Sequence, residues 1–105
     1  MPEYTSPRHY QNLVKRFPGF MSALEEMAKA ARESGPLDAK TLHLIQLGAA
    51  TALRSESAVV SHTRRAVQAG ATPSEVAQAL LALATTIGFP AVAAGLKWSQ
   101  KYLED

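Results

Sequence analysis

Apolar and polar residues alternate along this chain at intervals of three and four, the spacing of helices that each bury one face. No stretch alternates residue by residue, so no strand is expected. Phe20, Leu24, Met27, Ala28 and Ala31 share one face of a helix whose other face carries Glu25, Glu26, Lys29 and Arg32. Before it, Ser6-Pro7 reads as a cap followed by proline in the first turn, opening a helix over 7–17 that Pro18-Gly19 breaks. Gly35-Pro36 ends the second helix, and Asp38 is an N-cap for a third over 39–53. That third helix is apolar nearly all round: Leu42, Leu44, Ile45, Leu47, Ala49, Ala50, Ala52 and Leu53. So small a chain cannot cover so many faces, so a second copy is expected against some of them.

The second half is punctuated more sharply. Ser55 caps a fourth helix that runs to about 69, and Gly70 closes it. Thr72-Pro73-Ser74-Glu75 is a capping box with proline at the first helical position. It opens a fifth helix through Val76, Ala79, Leu80 and Leu83, before a break at Gly88-Phe89-Pro90. A last helix over 90–103 carries Leu96, Trp98 and Tyr102. The expectation is an all-α bundle of about six helices forming a single domain over 1–105, without repeats or linkers.

Composition narrows the chemistry. With 105 residues and 47% hydrophobic content the chain is globular, with a modest core. The net charge of +2 comes from basic residues interleaved with acidic ones, and no aromatic residue is interleaved with the Arg64–Arg65 pair to stack bases. That is no footprint for nucleic acid. There is no cysteine, which excludes disulfides, thiolate metal sites and thiol nucleophiles, even across a homo-oligomer. The N-terminus lacks an apolar signal core, and the apolar run over 77–94 is interrupted by Gln78, Thr85, Thr86, Gly88 and Pro90. A cytoplasmic protein without a membrane span is expected.

Two histidines are the candidate chemistry. His62 follows Val59 by three residues and precedes Ala66 by four, which sets it on the apolar face of the fourth helix; Ser61, Arg64, Arg65 and Gln68 are assigned to the other side. His43 sits in the over-apolar third helix. If both face one cavity they form an acid–base pair; otherwise they are two packing residues. Two histidines without an HExxH spacing make no zinc site, and without a GxSxG elbow the nearby serines make no hydrolase triad. No metal and no cofactor are expected.

The run LDAKTLHLIQLGAATA followed by SHTRRAVQAGATPSEVAQALL resembles the carboxymuconolactone decarboxylase and alkylhydroperoxidase D-like family. The likeness covers residues 37–96, with His-Thr-Arg at 62–64 and Ala-Gly-Ala-Thr at 69–72 as its strongest elements. It implies an alkylhydroperoxidase D-like helical bundle whose subunits interlock as a homotrimer or homohexamer. The peroxidase branch carries a Glu, a Cys-x-x-Cys and a His. Here His62 matches the histidine, while Ser55 and Ala58 replace the cysteines and His43 replaces the Glu. A peroxiredoxin-type thiol reaction is therefore ruled out on chemistry. The decarboxylase branch needs no cysteine and retains the histidine.

Two functional readings stand side by side. One is lyase- or isomerase-type acid–base chemistry on a small carboxylated or lactone substrate. In it His62 is the acid/base with His43 assisting, and Arg54, Arg64, Ser55 and the N–H groups at its helix start hold the anion. The other is a non-catalytic relative that binds a small molecule or serves in assembly.

Overall fold

The computed structural model describes residues 7–103, and among them every regular element is helical. Helix α1 (Pro7–Arg16) and α2 (Pro18–Glu33) are separated by Phe17 alone, whose backbone leaves the helical region at φ −134° and ψ 62°. Proline at position 18 makes this break so short. It fixes φ for a first helical turn and has no N–H to lose there. The Ser6 cap expected for α1 lies outside the described residues. The two helices pack on each other, and Tyr10 Oη donates to Glu25 Oε2 across them at 2.5 Å.

Helix α3 (Ala39–Ala52) starts where the Asp38 carboxylate accepts the Thr41 N–H at 2.8 Å. Its other end is a Schellman turn: Ser55 N–H donates to Ala50 O, and Arg54 N–H donates to Thr51 O. The left-handed position of that turn is held by Arg54 at φ 58°, where glycine is the ordinary occupant. Helix α4 (Glu56–Gln68) follows at once and ends on the same motif, this time with Gly70 at φ 110°. The capping box read from the sequence is present at the start of α5 (Pro73–Leu81), with Thr72 and Glu75 satisfying each other's backbone N–H. A single turn, α6 (Ala84–Ile87), precedes α7 (Phe89–Leu103). The six expected helices are thus present, with one further turn where the fifth had been expected to run on.

Helix α4 is the centre. It packs against α3, α5 and α7, and it buries Val59, Val60, Ser61, Thr63 and Ala66. This corrects the outward assignment of Ser61, which is 8% exposed. A helix touched on three sides has little solvent face left, and small hydroxyl residues fit its close contacts. Leu47 and Ala50 of α3 meet Val59 and Ala66 of α4, with Val76 and Leu80 of α5, in one core cluster. Full burial of each large aliphatic side chain stabilises by about 1.5–3 kcal/mol.

The α1–α2 hairpin buries much less. Met21 is the one buried residue of α2, while Phe20 and Met27 are 69% and 64% exposed. On α3, Ile45 is exposed too. No helix of the described residues is long and apolar enough to cross a membrane.

Candidate functional site

The tight α3–α4 turn runs α4 back along α3 and sets the phase of both. Ser55 opens α4 with its Oγ accepting the Ala58 N–H at 3.4 Å. His62 lies two turns further on, in the middle of α4. His43 lies in the second turn of α3, counted from the Asp38 cap. Packing of the two helices brings the imidazoles near each other, with ring centroids 6.1 Å apart and planes tilted by 33°.

Both rings are held neutral. Burial lowers the His62 pKa, the Arg65 guanidinium lowers it further, and His43 adds to the effect, taking it from 6.5 to about 4. The His43 pKa is lowered too, first by burial and then by Arg65 and Arg32, against an opposing hydrogen bond to Gln46. That bond, Nδ1 to Gln46 Oε1 at 3.1 Å, fixes the tautomer. A carboxamide oxygen only accepts, so His43 Nδ1 carries the proton and Nε2 keeps the lone pair. The His62 Nδ1 is buried without a hydrogen-bond partner. Near neutral pH these imidazoles are proton acceptors, not imidazolium donors.

A cavity of about 300 Å³ opens between α2 and the α3–α4 pair. Ala28 and Arg32 of α2, Leu42, His43 and Gln46 of α3, and Arg65 of α4 are on its wall. Neither Arg32 nor Arg65 pairs with a carboxylate among the described residues.

The residues singled out in the sequence divide into two groups. His43 and His62 come together, with His43 on the cavity wall and His62 close behind it. Ser55, Arg54 and Arg64 are absent from that wall. Ser55 is occupied as the α4 cap, and it takes up the Ala58 N–H that had been expected to meet an anion. The Arg54 guanidinium lies 6.0 Å from the centroid of the Trp98 ring. Arg64 is partly buried on α4.

Three wall residues went unread in the sequence: Gln46, Arg65 and Arg32. Gln46 and Arg65 each follow a histidine by three residues, which places them on the same helix face as His43 and His62 respectively, a signal that was available. Arg32 carries no such signal, because only the return of α2 over α3 brings it there. Among the described residues no three histidine or carboxylate side chains cluster as metal ligands do.

A family model described as the carboxymuconolactone decarboxylase family matches residues 18–101, from the start of α2 into the last turn of α7. An uncharacterized protein of Haemophilus influenzae is 42% identical over 66 residues, covering 61% of this chain and 58% of that relative. The chain thus matches little more than half the length of that relative. No solved structure matches at a significant level.

Proposed function

The chain belongs to the carboxymuconolactone decarboxylase family, and from that premise we propose that it binds a small carboxylated or lactone-type molecule beside His43 and moves a proton on it through the histidine pair. One observation carries this reading: two neutral imidazoles 6.1 Å apart, one of them on the wall of a partly open cavity. The volume, about 300 Å³, is at the small end of ligand sites. His43 Nε2 is the basic atom. It takes a proton from a carbon next to a carbonyl, and the electrons of the broken C–H bond pass into that carbonyl to give an enolate. Where a neighbouring C=C is conjugated with that enolate, returning the proton at the far carbon of the dienolate shifts the double bond and completes an isomerisation. His62 is the second base, able to receive the proton in relay. Arg32 and Arg65 hold the carboxylate in place of the Arg54 and Arg64 suggested by the sequence.

Binding without turnover is the second reading, and the unpartnered His62 Nδ1 favours it. A working base is normally oriented through its second nitrogen. A panel of small dicarboxylates and lactones is expected to include members that raise the melting temperature, since a ligand of the folded form alone stabilises it. Exchange of the α-hydrogen of such a ligand in deuterated water, lost in His43→Ala, marks the catalytic reading. A thermal shift without exchange marks the binding reading. If no member of the panel shifts the transition, both fall.

Self-assembly belongs to the same proposal, as a homotrimer or homohexamer. Its support is the uncovered apolar side of α2, with Phe20, Leu24 and Met27, together with Ile45 on α3. Sedimentation at micromolar concentration is expected to give a species several times the mass of one chain, and a monomer there overturns it.

A further inference from the structure

Building on the ligand-binding part of the cavity reading above, we propose that a small carboxylate enters this cavity together with a proton, the anion lodging between Arg32 and Arg65 and the proton being held by the His43–His62 pair, so that His43 serves as a base only at pH values above this uptake.

The charges on the wall point to the anion. Arg32 comes from α2 and Arg65 from α4, and among the described residues no carboxylate pairs with either. Two exposed guanidiniums thus stand beside an apolar pocket floor of Ala28 and Leu42, with no ion pair to either among the described residues. A carboxylate takes parallel hydrogen bonds from such groups and balances them.

The proton follows from where the imidazoles stand. The groups that act on the two rings are Arg32 from α2, Arg65 from α4, and the rings themselves; α5 and α7 contribute none. Arg65 disfavours a proton on both rings. An anion seated on Arg65 cancels that repulsion and adds an attraction of its own, so both rings gain affinity for a proton. Hydrogen-bond chemistry acts in the same direction. With Nδ1–H given to Gln46, a neutral His43 has only a lone pair left on Nε2, which repels a carboxylate. A protonated His43 donates from both nitrogens and binds one. Coupling between sites is reciprocal, so the anion must also bind more tightly where protons are plentiful.

Oxalate is a suitable probe, because it remains a dianion across most of the range needed. Calorimetry on the wild-type protein is expected to show oxalate binding several-fold tighter at about pH 5.5 than at about pH 8. At about pH 6, titrations in two buffers of different ionisation heat are expected to show uptake of roughly half a proton per oxalate. The chain has three histidines, so imidazole signals assigned by single His→Gln variants can be followed directly. Those of His43 and His62 are expected to titrate at higher pH with oxalate bound. Arg65→Met is expected to weaken oxalate at every pH by about tenfold and to reduce the uptake.

Equal affinity at both pH values with no proton uptake overturns the proposal and leaves the ligand reading of the cavity standing. Uptake that persists when His43 and His62 are both glutamine also overturns it. Oxalate affinity unchanged in Arg65→Met does the same. Absence of oxalate binding at any pH overturns the proposal and the carboxylate reading together. Should a variant fail to fold, the imidazole titration of the wild-type protein decides alone.

Discussion

Gly95→Val is expected to lower the stability of the folded protein by about 3 kcal/mol, with a fall in melting temperature of roughly 10 °C or more. Helix α7 crosses α3 so closely at this point that a Cβ on residue 95 meets Thr51 Cγ2 at 2.8 Å, Thr51 Oγ1 at 3.2 Å and Leu80 Cδ2 at 3.3 Å. None of these atoms can yield cheaply. Thr51 and Leu80 are fully buried, and Thr51 Oγ1 donates to Leu47 O at 2.8 Å. Rotating Thr51 away leaves a buried hydroxyl unpaired, a cost of about 1–3 kcal/mol. Alanine at 95 adds back about 1 kcal/mol of helix propensity, so Gly95→Ala is expected to cost less, about 1–2 kcal/mol. Thr51→Ala should recover part of that loss, and a double-mutant cycle by urea denaturation measures the coupling. A neutral or stabilising Gly95→Ala rejects the close crossing.

The second large effect is on the dependence of stability on pH. An unfolded histidine titrates at 6.5, and folded His62 titrates at about 4. Between these values the unfolded chain binds more protons, so stability rises with pH across the window. The contribution of His62 is complete above 6.5 and is lost as pH falls towards 4. The His43 pKa is lowered as well and acts in the same direction. For His62, about 2 kcal/mol is expected between pH 7 and pH 4, after allowing for the solvent that reaches its half-buried ring. Asp38 and Glu75 also have lowered pKa values, through backbone and side-chain hydrogen bonds at helix starts. Their contribution is lost as pH falls through the ordinary carboxylate range and below it, so at about pH 5 and above the His62 process is read nearly alone. Urea denaturation at about pH 7.5 and pH 5 in wild type and His62→Gln checks the assignment. Identical pH slopes in the two proteins would mean that His62 is not the group responsible.

Most helix boundaries were legible because they are made by local chemistry. Asp38, Ser55, Gly70 and the Thr72–Glu75 box act through bonds within a few residues, and each stands where the sequence implied. The turn at Ala82 and Leu83 was not legible, since no glycine or proline marks it. Burial was legible only in part. Ser61 and Thr63 look polar in a periodicity reading and are buried because α4 has neighbours on three sides, which no single-helix pattern records. The histidine pair was anticipated as one of two alternatives, since spacing places each ring on a helix face but not the two faces against each other. Arg32 was out of reach for the same reason, being on a different hairpin. Arg54 looked like a site residue by its place beside Ser55, while its left-handed backbone instead accompanies a guanidinium directed to Trp98.

The cavity is walled by parts of different origin. His43, Gln46 and Arg65 come from two consecutive helices joined by a turn of three residues, so the rings that would handle a proton are registered by one short hairpin. The facing wall, Ala28 and Arg32, belongs to a separate hairpin that buries little of itself in the core. Insertions into the first hairpin shift the rings against each other, whereas substitutions on α2 leave the spacing of the rings untouched. The architecture therefore divides the work of diversification: ligand preference can drift through one interchangeable wall while the proton-bearing wall keeps its geometry.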